Sequence, residues 1–326
     1  MRVKRNNLFF MLFVIIFTVG QAVLGQKTTG WGLYSVIPYL ICFGLGLLIL
    51  KKDEATFFDV LPYNVGLKPL TALMIVALVF LMSPLTTLLS QLGAKAGGDM
   101  LQLFGAQLNL DNKPFPELLF ELAVVPAVFE EMYFRGFFYA GFKRACGARF
   151  AIIFSAILFG FFHMNIQQLL YAAVLGIVLG IIREATGSMW AGMLYHFVNN
   201  GWSAVSMLIA KKTTPDHWLQ NMPLEKISFF DSAEYPLTTG IRIYSWIMLV
   251  VCLAVSLLLL WAIAKQNGRA DDYKKLFKRA DDPKEKVVTA PLVIGCIMYA
   301  LMTLIIFAAV KLQPELLQQA IEKTGK

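Results

Sequence analysis

Apolar residues run in long blocks along this chain, near residues 8–25, 32–50, 70–92, 117–138, 150–165, 168–182, 188–210, 243–264 and 288–311. Most blocks match the roughly 20-residue helix that crosses about 30 Å of hydrocarbon. They lack the one-sided stripe of a helix that lies on a water-facing core. The pattern predicts an all-α fold, a polytopic transmembrane helical bundle of eight or nine spans. Only Met164 to Gln167 separate the fifth block from the sixth, which predicts a tight helical hairpin or one broken helix. Within the sixth block Ala172, Gly176 and Gly180 recur every four residues, a register that lets helices approach closely.

Composition strengthens the membrane reading. Of 326 residues 58% are hydrophobic and only 15% charged, against about 25% charged in an average soluble domain. The net charge of +8 raises the question of nucleic acid. The basic residues gather between the apolar blocks, however, and are not interleaved with stacking aromatics, so no nucleic-acid partner is expected and the bilayer is the partner instead. Cytoplasmic loops are enriched in Lys and Arg. An amino terminus inside puts Arg2, Lys4 and Arg5, then Lys51, Lys52 and Lys68, then Arg135, Lys143, Arg144 and Arg149, then Arg183, and finally the eight basic residues from Lys265 to Lys286 on that side. With nine spans the carboxyl terminus is outside. The first block also has the form of a cleaved signal peptide, which leaves the later topology unchanged.

The chain reads as one membrane domain: helices over 1–115, a chemistry-bearing core over 116–210, and helices with a basic cytoplasmic loop over 211–326. Cys42, Cys146, Cys252 and Cys296 are scattered singly and read as packing residues.

Ionisable groups inside a bilayer cost a few kcal/mol each, so those that remain are functional candidates. Block four holds Glu130, Glu131 and Arg135. Glu131 and Arg135 are four apart with the acid amino-terminal, the favourable order for an ion pair. Glu130 is turned about 100° from Glu131 around the axis and is the less committed carboxylate. Block five holds Phe159-Gly160-Phe161-Phe162-His163, and block seven holds His196-Phe197-Val198-Asn199-Asn200. His196 and Asn200 are one turn apart and address the same neighbour. Taken alone, the glutamates are as readily read as bundle-holding ion pairs, and His163, His196 and Asn200 as interhelical hydrogen-bonding groups. The third histidine, His217, lies in an outside loop and reads as solvated.

The set Glu-Glu-x-x-x-Arg, Phe-x-x-x-His and His-x-x-x-Asn in successive apolar blocks resembles the CPBP family: type II CAAX prenyl endopeptidases and bacteriocin-processing or immunity membrane proteins. So does Arg183-Glu184-Ala185-Thr186-Gly187-Ser188-Met189-Trp190, which leads into the last motif. The resemblance spans about residues 117–205. It implies an intramembrane endopeptidase acting on a peptide or membrane-protein substrate in the bacterial cytoplasmic membrane. It also implies that Glu130 activates water with His163 as partner, that His196 and Asn200 stabilise the oxyanion, and that Glu131 and Arg135 support them.

The metal question stays open at this point. Glu130, His163 and His196 would supply three ligands for Zn²⁺ with a free fourth position. The chain lacks a His-Glu-x-x-His helix and Asn is a poor zinc ligand, which favours a reading with no cofactor required. A non-catalytic immunity or binding protein of the same fold, and a transporter, are the alternatives.

Overall fold

The computed structural model describes residues 2–24, 33–97, 113–213, 239–278 and 286–312. His217 and most of the outside loops fall outside them.

All the regular structure among the described residues is helical: α1 (Val3–Leu24), α2 (Leu33–Lys52), the short α3 (Phe57–Val60), α4 (Pro69–Gly97), α5 (Phe115–Leu119), α6 (Val125–Glu131), α7 (Tyr139–Phe162), α8 (Ile166–Thr186), α9 (Met189–Thr213), α10 (Thr239–Gln266), α11 (Ala270–Lys275) and α12 (Ala290–Leu312). Two π-helical segments, Phe120–Val124 and Met132–Phe138, join α5 to α6 and α6 to α7.

Among the described residues six helical stretches are long and apolar enough to cross a membrane: Val3–Gly20, Pro69–Ala96, Phe115–Phe162, Ile166–Thr186, Ile243–Gln266 and Ala290–Ala308. The expected count of eight or nine spans is therefore not shown, although helices occupy every predicted block. The helix α9 falls outside the six because His196, Asn199, Asn200 and neighbouring Gly and Ser residues lower its hydropathy.

The Phe115–Phe162 stretch is also not one rod. At 1.5 Å per residue its 48 residues would extend about 72 Å, over twice the hydrocarbon thickness. Gly147 breaks it with φ 78° and ψ 169°, a conformation open to glycine. The chain thus stays helical through Lys143 and Arg144, where the apolar pattern ended, and turns only at Gly147.

The predicted hairpin is present. Helix α7 ends at Phe162, Met164 takes the left-handed conformation at φ 48°, and the Asn165 side chain caps α8 by accepting from the Gln167 amide at 2.9 Å. Lipid tails are as apolar as leucine, so helices in a bilayer are held by close packing and interhelical hydrogen bonds rather than by expulsion from water. The α7–α8 crossing shows this. A Cβ placed on Gly176 would lie 2.8 Å from Ala156 Cα and 3.2 Å from the Arg135 guanidinium, and one on Gly180 would lie 2.9 Å from Ile152.

On the opposite flank α1 inserts a row of rings. Phe13 meets Tyr133 at 4.7 Å and Phe17 meets Phe162 at 4.6 Å between centroids. Such pairs contribute about 0.5–1.5 kcal/mol each beyond simple contact. They fix α1 against the segment that carries the glutamates.

Gly176→Leu should therefore force α7 and α8 apart and lower the thermal unfolding midpoint in detergent, by the equivalent of about 1–3 kcal/mol for overpacking. Gly44→Leu, where a Cβ would meet nothing within 4 Å, should leave the midpoint in place. Equal midpoints for the two variants would contradict this account of the crossing.

Candidate active site

The glutamate pair sits on a short α-helical turn between the two π-helical segments, and the sequence explains part of this. Pro126 has no N–H, so the carbonyl of Leu122, four residues earlier, loses its α-helical donor. The backbone widens there, with the Val125 N–H reaching the carbonyl of Phe120. Asn200 on α9 then satisfies the Leu122 oxygen, its Nδ2 donating at 3.0 Å. Wide π turns of this kind recur at functional sites.

Glu131 is fully buried, and its Oε1 holds two partners: Arg135 Nη1 at 3.1 Å and His196 Nδ1 at 3.0 Å. The ion pair predicted from the spacing is present, and a histidine from α9 completes it. Close approach depends on Gly192, where a Cβ would stand 2.8 Å from Glu131 Oε2. The Arg135 guanidinium lies 4.2 Å above the Phe159 ring, a cation–π contact that offsets part of its burial. In the connector between α3 and α4, burial together with the charge of Glu131 pushes the Tyr63 phenol up to about 12. Tyr63 also accepts from the Trp190 indole at 2.9 Å through its backbone oxygen, tying that connector to the start of α9.

Glu130 is bound more loosely. Its Oε1 is 3.5 Å from the Tyr39 hydroxyl of α2, and its buried Oε2 has no hydrogen-bond partner but stands 3.8 Å from His196 Nε2. The imidazole nearest Glu130 is thus His196. His163 forms no hydrogen bond or ion pair with Glu130 among the described residues. Instead its Nδ1 lies 2.9 Å from the Phe159 carbonyl, which can only accept, so the proton sits on Nδ1 and Nε2 carries the lone pair. By the same logic the Glu131 carboxylate places the His196 proton on Nδ1. Both imidazoles pack edge-on to Phe159, with ring centroids 4.9 Å and 5.8 Å away.

The structure brings Glu130, Glu131, Arg135 and His196 together directly and adds Asn200 through the Leu122 carbonyl. Among the described residues no three His, Cys, Asp or Glu side chains are grouped to hold a metal ion. The Asn200 amide is partly committed. One N–H is committed to Leu122 and its Oδ1 accepts from Asn199 at 3.1 Å, leaving the second N–H of the amide for other work. Sequence reasoning missed Tyr39 and Gly192. A tyrosine and a glycine in apolar blocks carry no signal alone, and only Pro126 hinted at the irregular backbone.

Residues 113–202, which hold every one of these motif residues, match the family described as type II CAAX prenyl endopeptidase Rce1-like. A protein of Bacillus subtilis (strain 168) named "Putative membrane peptidase YdiL" is 24% identical over 207 residues, covering 61% of this chain and 81% of its own length. Over this segment the chain is similar to the CPBP-type membrane proteases that its motifs resemble. No solved structure matches it. The matched segment does not include α2, so Tyr39 reaches the glutamates from outside it. The apolar helices and the family together make it an integral membrane protein.

Removing one partner of a buried charge pair leaves the other uncompensated, at a cost of about 3–5 kcal/mol. Arg135→Met should lower the unfolding midpoint sharply, whereas Glu131→Gln combined with Arg135→Met should recover a large part of the loss. Thermal unfolding of the two variants in detergent measures this, and an additive double mutant would count against a pair that stabilises as a unit.

Proposed function

We propose that this protein is an intramembrane endopeptidase that hydrolyses a peptide bond with water activated by Glu130. The observation that carries the reading is the pair of acceptors facing each other, Glu130 Oε2 and His196 Nε2, 3.8 Å apart and buried. Two lone pairs at that separation are satisfied by one molecule that donates two hydrogens, and a water about 2.8 Å from both meets ordinary hydrogen-bond distances.

In this mechanism the Glu130 carboxylate takes a proton as the water oxygen attacks the scissile carbonyl carbon. The new C–O bond forms while the carbonyl π pair moves onto its oxygen. The proton then passes to the amide nitrogen as the C–N bond breaks, releasing an amine and a carboxylic acid. His196 Nε2 accepts a hydrogen bond from the water's second hydrogen, which stays on the attacking oxygen; when the proton that Glu130 took passes to Nε2, the imidazolium donates to the oxyanion and then delivers that same proton to the amide nitrogen. The Glu131 carboxylate on its other nitrogen stabilises that imidazolium and fixes its tautomer, as the acid of a catalytic triad does. The free N–H of Asn200 is the second oxyanion donor, and His163 Nε2 assists as a further proton acceptor. Every step uses side chains of the chain itself and no metal. The peptide or membrane-protein substrate reaches the site from the bilayer, and the site works in a bacterial cytoplasmic membrane with the amino terminus on the cytoplasmic side.

Glu130→Gln keeps the shape of the side chain and removes its basicity. Proteomes of membranes carrying wild type or Glu130→Gln should differ by at least one precursor that accumulates in the variant, with cleavage by purified protein reduced at least the roughly 10²–10⁴-fold that general-base catalysis supplies. Asn200→Ala should slow cleavage of that precursor by about 10²–10³, the usual effect of one oxyanion donor. Chelator treatment with metal analysis of the purified protein should leave activity intact. Wild-type cleavage by Glu130→Gln would end the reading, and loss of activity on chelation, restored by zinc, would replace water activation by Glu130 with metal chemistry.

A further inference from the structure

Tyr39 belongs to none of the family motifs, yet its hydroxyl is the one hydrogen-bond partner of Glu130 among the described residues. We propose that Tyr39 is a positioning residue for the catalytic carboxylate, tying down Oε1 so that Oε2 faces His196. The inference rests on the reading of Glu130 as the general base.

The two oxygens of a carboxylate are chemically equivalent, and the terminal torsion of a glutamate is broad, so an untied Glu130 would sample many orientations. The His196 contact at 3.8 Å is too long to hold it. A donor on one oxygen removes this freedom and leaves the other oxygen aimed. A phenol suits the setting because it donates one hydrogen while bringing no charge, so it adds no ionic burial cost.

The Tyr39 ring is itself held on several sides. It stacks on Phe129 at 5.0 Å and 16° and on Tyr133 at 6.0 Å and 19°, residues of the same turns that carry Glu130. Phe17 of α1 packs against it at 4.9 Å. Its backbone is fixed too, since the Tyr133 hydroxyl donates to the Tyr39 carbonyl at 2.5 Å. Next to it in the chain, Pro38 fits so closely against Gly20 of α1 that a Cβ there would lie 2.5 Å from the proline ring. The hydroxyl is thus presented from a framework packed on the turns that carry Glu130, 3.5 Å from its Oε1.

Tyr39→Phe deletes only the hydroxyl and keeps the stacked ring. Tyr195→Phe is the control: Tyr195 is fully buried and its hydroxyl has no hydrogen-bond partner. With the precursor that accumulates in Glu130→Gln membranes as substrate, Tyr39→Phe should lower kcat roughly tenfold, the equivalent of one ordinary hydrogen bond, with KM unchanged. The unfolding midpoint in detergent should stay where it is. In infrared difference spectra the Glu130 carboxyl band, identified as the one lost in Glu130→Gln, should move in Tyr39→Phe and stay fixed in Tyr195→Phe.

A packing role alone would move the midpoint and leave the band alone. An unmoved band with wild-type kcat, or a fall in kcat that only tracks lost stability, overturns the positioning role while Glu130→Gln remains inactive. Full activity in Glu130→Gln removes the general-base reading first, and this inference with it.

Discussion

The constraint that organises this molecule is the cost of an uncompensated charge inside a bundle surrounded by lipid. Glu131 and Arg135 are both almost completely enclosed, and neither is tolerable there alone. Bringing them together on one helix answers most of that cost locally. The histidine of α9 then joins the same carboxylate oxygen, so one ionic contact does two things: it neutralises the interior, and it orients a ring on a different helix. Buried ion pairs are weak evidence for stability in general. Here the more informative property is direction, because the pair determines which nitrogen of His196 carries the proton.

That direction propagates. Both imidazoles near the glutamates have Nδ1 engaged, one by a carboxylate and the other by the carbonyl of Phe159, and therefore offer Nε2 as an acceptor. Phe159 supports three polar groups at once, touching both imidazoles by its edges or theirs and the guanidinium by its face. An aromatic ring is well suited to such a place. It excludes water and competes for no hydrogen bond, and its negative face stabilises the cation. Meanwhile Glu130 is kept outside the ionic tie, available for chemistry because its neighbour in the chain has taken the strong partners.

What the sequence disclosed, and what it hid, follows from the range of the interactions. The helical class and the membrane setting were plain because they depend on runs of neighbouring residues. The Glu131–Arg135 pair was legible for the same reason, being set by a spacing of four, and the small-residue register of α8 announced the close crossing with α7. The apolar block ended at 138, but the helix runs on through the basic residues Lys143 and Arg144 and breaks only at Gly147. The partner of His196 was not legible, because which of two adjacent acids meets a ring on another helix depends on rotation and approach, and a glycine at 192 decides it. The π segments defeated an argument built on 3.6 residues per turn. Tyr39 lies 91 positions from Glu130, and no local pattern connects them. The number of crossings is not settled by apolarity alone, since α9, the helix richest in candidate site residues, is for that reason among the less apolar.

The carbonyl freed by Pro126 has a dynamic consequence. In water such a group would simply be solvated, but here the side chain of Asn200 is its donor, which acts as a latch between α9 and the segment that carries the acids. Any rotation of α9 that swung His196 away would strand a peptide oxygen in a medium with nothing to offer it, at a penalty of about 1–3 kcal/mol. Motions that admit a bulky guest should therefore carry these two elements as one body, with the give occurring at their borders with other helices rather than along the seam between them.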